Sequence, residues 1–370
     1  MQRRAGLLVF FLLAFGSARA QWQMEDSHTT ADLRGIDNVG GGVAWASGTN
    51  GTVLRIEDGG DMWQACAVPP GAEHLDFRGV QAFDANTAIV MSSGKGDLSR
   101  LYKTTDGCQT WKLVFTNPDK DGFWDAYRVD KHGHLGLLIG DPVLSQLPIW
   151  MIDRDESAFQ IKRLLHTPRA RQGEAEFAAS NSALFVDDSF FDFWIATGGK
   201  SGARVIKRIN HDFDSFGFDS WPAGSVPVGQ KTESSGVFSL CFRPEPRNPN
   251  PEKQYIHGIA VGGDYLKPDD RNGTAAYTAD SGRSWHATET PPHGFRSAVA
   301  YDAASKTWIT VGPNGTDIST DDGLNWRALQ PDSALHEAPD ADRNWNALSL
   351  PFVVGPHGRI GKLNPKALAH

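Results

Sequence analysis

The chain has 370 residues, with 36 lysines and arginines against 44 aspartates and glutamates, giving a formal net charge of −8. That sign argues against a nucleic-acid partner, whose phosphates call for a basic face. The 39 glycines and 12 tryptophans, with few long helix-forming stretches, exclude a mainly helical protein and point to short strands and many turns.

In chain order, Arg3 and Arg4 precede an apolar run from Leu7 to Phe15 and then Ala18-Arg19-Ala20, the basic, apolar and small-residue succession of a secretory signal peptide. The expected cleavage follows Ala20. The apolar run is about half of the roughly 20 residues that a membrane helix needs. The mature protein, from Gln21 onward, is therefore expected to be exported to the periplasm or beyond and not to span a membrane. Without Arg3, Arg4 and Arg19 it holds 33 basic and 44 acidic residues.

From there one turn motif returns along the chain. Its best copy is Thr278-Ala279-Asp280-Ser281-Gly282-Arg283-Ser284-Trp285. This is an Asp-box, Thr/Ser-x-Asp-x-Gly-x-Thr/Ser-Trp, a turn between two strands. The Asp caps backbone N–H groups, the Gly takes the φ > 0 position, and the Trp packs between neighbouring sheets. Other copies end at Asp58 and Trp63, at Asp106 and Trp111 (with Cys108 where Gly is usual), and at Asp321 and Trp326. Trp63 to Trp111 is 48 residues and Trp285 to Trp326 is 41, a period at which one repeat makes one four-stranded propeller blade.

A second register counts the repeats. Short apolar strands open near Leu33, Phe77, Trp124, Glu176, Ser235, Phe295 and Trp345, and a Gly-centred hairpin follows each. The expected fold is all-β: residues 21–370 as a single seven-bladed propeller of four-stranded antiparallel sheets. The last repeat holds only three strands, so Gln21-Trp22-Gln23-Met24 is expected to add the fourth and close the ring.

Three cysteines leave one pair and one remainder in an oxidising compartment. Cys66 and Cys108 belong to outer edges of adjacent repeats, so they either form a bridge between two blades or stay as unpaired thiols. Cys241, between Leu240 and Phe242, reads as a buried strand residue. Three segments interrupt the spacing, at residues 164–173, 211–234 and 243–253, and loops of this length are either functional or tolerated at the rim.

The Phe-Arg-Gly-Val opening at Phe77, the Ser-Gly-x-x-Gly hairpins, the worn boxes and Val261-Gly262-Gly263-Asp264-Tyr265 together resemble the propellers related to the photosystem II assembly and stability factor of cyanobacteria and chloroplasts. The resemblance covers residues 30 to 365. It implies a non-enzymatic scaffold or assembly role and, more weakly, a photosystem client. The boxes are lost near residues 153–158 and 210–216, where the chain departs from the family pattern.

The same position one blade apart falls around the central axis. Arg34, Arg78, Asp125, Glu176, Ser235, Arg296 and Asn346 are therefore expected to ring one mouth of the channel, with Glu174 competing with Glu176 for the fourth place. The assembly-factor propellers are similar in carrying an arginine patch, which Arg34, Arg78 and Arg296 match. Such a ring suits a carboxylate-bearing segment of a protein in an envelope or membrane complex, because guanidinium groups bind carboxylates bidentately. The bland alternative is a set of salt bridges between blades.

A secreted glycoside hydrolase is the competing class, with a glycan as substrate and Asp125 with Glu176, or Asp141 with Asp264, as the carboxyl pair. The Arg-Ile-Pro signature that opens sialidase domains is absent. No catalytic residue, metal site or cofactor is otherwise indicated. His132-Gly133-His134 falls in a turn, and Asp119-Lys120-Asp121-Gly122 lacks the remaining ligands of a calcium loop.

Overall fold

The structure is a computed structural model that describes residues 21–57, 59, 62–130, 133, 135–154, 159–187, 192–208, 221–245, 256–331 and 337–368. The signal-peptide segment 1–20, Asp58, His132, His134, residues 155–158 and 209–220, and most of the 243–253 segment lie outside the described residues.

Alternating apolar runs cut by Gly-rich turns make short strands, and these assemble into seven blades of antiparallel sheet. The first strand of each blade packs against the first strand of the next: Leu33–Gly40, Phe77–Ala82, Trp124–Val129, Leu184–Asp187, Ser235–Phe242, Ala298–Asp302 and Ala347–Ser349. The last of these packs back on Leu33–Gly40, so the sheets close into a ring. Among the described residues, only two short 3₁₀ segments, Gly96–Leu98 and Pro365–Leu368, interrupt the all-β pattern.

The closing strand is Trp22–Glu25, paired antiparallel with Ile360–Leu363 from Trp22↔Leu363 to Glu25↔Ile360. Trp22 is buried against Trp345 at 5.9 Å, and its indole N–H donates to Thr316 Oγ1 of the sixth blade. Glu25 accepts from the Trp63 indole of the first blade at 2.6 Å. Four residues thus tie three blades together and supply the fourth strand of the seventh.

The core is a set of apolar layers between adjacent sheets, as a ring of sheets requires, and tryptophans dominate it. Three of the boxes, those whose Asp is among the described residues, hold their turns as expected. Asp280 Oδ1 accepts from Thr278 Oγ1 at 2.8 Å and Ser284 N at 2.9 Å, while Oδ2 accepts from Ser284 Oγ at 2.6 Å. Asp106 and Asp321 repeat this pattern. Trp111, Trp285 and Trp326 are buried between blades. Cys108 and Cys66 form a disulfide that links the first two blades, and Cys108 holds a left-handed φ of 61° at the usual Gly position. Cys241 is a free thiol, pushed up to about 12 by burial.

One blade departs from the expected register. The fourth opens at Leu184 rather than near Glu176, and residues 176–183 form an irregular stretch before it. Glu174–Ala175 pairs with Gly198–Gly199, and Gly198 pairs across to Gly236 of the fifth blade. That contact needs two glycines, since a Cβ on either would lie 2.5 Å from the other's Cα.

Candidate functional site at the channel mouth

A β-bulge near the start of the first strand decides which side chains reach the channel. The register shifts between Leu33 and Gly35, Phe77 and Gly79, Trp124 and Ala126, and Val237 and Ser239. Arg34, Arg78, Asp125 and Phe238 are thus the inserted residues. In the sixth and seventh blades Ser297 and Asn346 hold the same place, each sharing the carbonyl (Val311 and Val354) that faces the residue after it. A bulge turns one extra side chain to the opposite face.

These positions surround a cavity of about 450 Å³ whose lining includes Arg34, Arg78, Asp125, Asp141, Glu176, Phe238, Ser297 and Asn346. Five of the seven expected ring residues therefore meet there, and two do not. Arg296 falls one residue before the bulge, where the other blades bury Leu33, Phe77, Trp124, Val237 and Trp345. Its guanidinium pairs with Asp317 inside the protein, Nε donating to Oδ2 at 2.9 Å, and His293 meets the other carboxylate oxygen at 2.8 Å. Burial acts to raise the Asp317 carboxyl, but His293 and Arg296 hold it below its ordinary value. Ser235 lies two residues before Val237, and its hydroxyl accepts from Gln230 N and Thr232 N in a turn. Arg296 is displaced because Phe295-Arg296-Ser297-Ala298 imitates Phe77-Arg78-Gly79-Val80 with the bulge one residue later; in the fifth blade the bulge comes three residues after Ser235, at Phe238.

The residues missed by the sequence reading are Phe238 and Ser297. The ring residue is followed by a small one, Gly35, Gly79, Ala126, Ser239, Ala298 and Ala347, but so are Arg296 and Ser235, by Ser297 and Gly236, so this pattern did not separate them. A Cβ at Gly35 would lie 2.5 Å from Ser47 Oγ, and one at Gly79 2.9 Å from Asn181 Oδ1, so the inner turn of the ring is crowded.

The polar side of the mouth is unevenly satisfied. Arg78 Nε donates to Asp76 Oδ2 at 2.8 Å, and Arg34 Nε lies 3.5 Å from Asp76 Oδ1, so the two guanidiniums share one carboxylate between blades. Arg78 also lies over the Phe123 ring at 5.9 Å. Asp125 and Glu176 are 1% and 3% exposed, and Asp125 Oδ2 and both Glu176 carboxylate oxygens meet no protein hydrogen-bond donor. Burial pushes Asp125 well above the usual carboxylate range, with Asp141 adding to it and Arg78 opposing. Glu176 is raised well above its ordinary value by burial and by Asp125, Asp141 and Glu174. Asp141 is raised by burial too.

Glu174 has a different task. Arg204 binds it with Nε to Oε1 at 2.6 Å and Nη2 to Oε2 at 2.8 Å, and Thr197 Oγ1 adds a third bond, so it is a structural ion pair. Asp264 is likewise committed, to Ser234, Thr232 and Leu266 N, and is not on the lining.

The other side of the mouth is aromatic. Phe177 stacks on Phe238 at 4.1 Å, Phe295 meets Phe238 edge-on at 4.8 Å, and Tyr265 stands 6.1 Å from it with about half its surface exposed. Among the described residues, no group of His, Cys, Asp and Glu is arranged to hold a metal ion, and no helix is long and apolar enough to cross a membrane.

Comparison with solved structures places the architecture. The chain is similar to YCF48 bound to D1 peptide, at a TM-score of 0.58 and 17% identity over 93% of this chain and 96% of that one. It is similar to YCF48 from Cyanidioschyzon merolae at a TM-score of 0.60 and 17% identity, over 94% of this chain and all of the other. At that identity the likeness is one of fold, shared along nearly the whole of both chains. Neither a family model nor a curated protein matches the sequence.

Proposed function

We propose that this protein is an exported, non-catalytic binding factor whose channel mouth captures a segment of another protein in an envelope or membrane complex. The observation that carries this reading is the mouth itself: charged and aromatic side chains converge on one cavity, and several of their polar atoms have no task within the fold. One of the solved structures sharing this fold holds a peptide, which supports a peptide as occupant. The test is capture from the native envelope fraction with the mature protein and with a variant that disables both polar arms of the mouth, Arg34→Ala/Arg78→Ala/Glu176→Gln, read by mass spectrometry. A defined protein retained by the first and lost by the second is expected. Identical recovery from both, or none from either, would sink the assignment. Export is checked separately, by finding Gln21 as the N-terminus of the native protein.

The hydrolase alternative has one observation in its favour, the buried carboxyls of Asp125 and Glu176. A glycosidase needs its two carboxyls pushed apart, one protonated and one ionised. Here burial raises Asp125, Asp141 and Glu176 alike, so their surroundings do not assign the acid's role to one and the base's to another.

A further inference from the structure

The mouth was expected from its arginines to receive an acidic group, and its geometry favours the reverse. Asp76, Asp125, Asp141 and Glu176 stand against Arg34 and Arg78, a surplus of acidic groups; Arg78 is hydrogen-bonded to Asp76, and Arg34 Nε lies 3.5 Å from it and makes no hydrogen bond. Three carboxylate oxygens, Asp125 Oδ2 and both of Glu176, are buried on the lining without a donor. A carboxylate entering here brings acceptors and no donor, so it would satisfy none of them. What these oxygens lack is a cation with several N–H groups, and an unpaired buried acceptor is costly enough to select for one.

The facing wall narrows the choice further. Phe177, Phe238, Phe295 and Tyr265 present ring faces and edges on the same cavity. A guanidinium is planar, weakly hydrated, stacks on aromatic rings and carries five donors in a fixed fork, whereas an ammonium is a compact, strongly hydrated point charge. We infer that the channel mouth recognises an arginine side chain of its partner segment, the guanidinium lying against the Phe177–Phe238 wall and donating to Glu176 and Asp125. This rests on the reading of the mouth as a peptide-binding site and specifies the chemistry of the peptide.

The experiment is selection of a random nine-residue peptide library on the mature protein, followed by affinity measurement on the strongest binder. Enrichment of arginine is expected, and replacing that arginine by citrulline, which keeps the shape and removes the charge, should weaken binding about 10- to 100-fold. Glu176→Gln should weaken the same peptide by a similar factor. Because the citrulline change is made in the peptide, it reads the interaction even if the protein variant folds poorly. Selection of acidic peptides, lost with Arg34→Ala/Arg78→Ala and indifferent to Glu176→Gln, would overturn this inference and leave peptide capture standing. Enrichment of no peptide class would overturn both.

Discussion

Carboxylates of the Asp-box turns and those of the channel mouth belong to one ring and meet opposite surroundings. Asp106, Asp280 and Asp321 each accept three or more hydrogen bonds from their own turn. The Thr110 hydroxyl and N–H, with Thr104, hold Asp106 down at about 2. Asp280 and Asp321 lie below the ordinary range against a burial penalty that works the other way. At the mouth, Glu176 has the burial without a donor and Asp125 leaves one oxygen without one, and both are raised. The turns use charge to hold a shape; the mouth keeps charge that the shape does not use, and that difference separates scaffold from site.

The comparison can be tested by substitution, beginning with the largest effect. Arg296→Ala leaves Asp317 buried without its cation and should cost about 3–5 kcal/mol of stability in denaturant unfolding. Peptide affinity of the folded protein should not change, and a loss of affinity at undiminished stability would return Arg296 to the mouth. Cys66→Ala with Cys108→Gly opens a loop of 42 residues, a loss of about 4 kcal/mol in the chain-entropy account. Glycine at the left-handed position recovers about 1 kcal/mol of that. The melting temperature of this variant should ignore reducing agent, while that of the wild type should fall toward it.

Smaller effects separate turn from mouth by the sign of their pH dependence. Asp280→Ala should cost about 2 kcal/mol near neutrality. A depressed carboxyl stabilises the fold above the ordinary carboxylate range and loses that contribution as pH falls through its folded value, so the cost should fade on acidification. Glu176→Gln should do the opposite. Its raised carboxyl favours the fold at low pH, and that favour is lost as pH rises from the ordinary range through the raised value, so the amide should raise stability at pH 8 and leave it unchanged near pH 4. Urea unfolding between pH 4 and 8 reads both slopes. A Glu176→Gln variant less stable at every pH would show that this carboxylate serves the fold.

Much of the architecture was legible because its signals are local. Asp, Gly and Trp at fixed offsets make a turn whatever surrounds it, and a period near 45 residues leaves one repeat per blade. The closing strand was legible from arithmetic, since three strands at one end and a spare at the other complete one sheet. The fourth blade was not, because its box is gone and Glu174–Ala175 pairs with the Gly198 hairpin instead of opening the sheet.

The mouth was half legible. Arg34, Arg78, Asp125, Glu176 and Asn346 could be aligned from their neighbours, while Arg296 and Ser235 could not be placed and Phe238 and Ser297 were missed. Side chains alternate along a strand, so a bulge displaced by one residue exchanges the channel for the space between blades. By itself, then, the sequence determined the number of blades, the turns between strands and the two ends that close the ring, all of which follow from short-range patterns. Only the tertiary structure decided which charges face the cavity and which are spent, because Asp76, Asp317 and Arg204 reach their partners through the packing of separate segments.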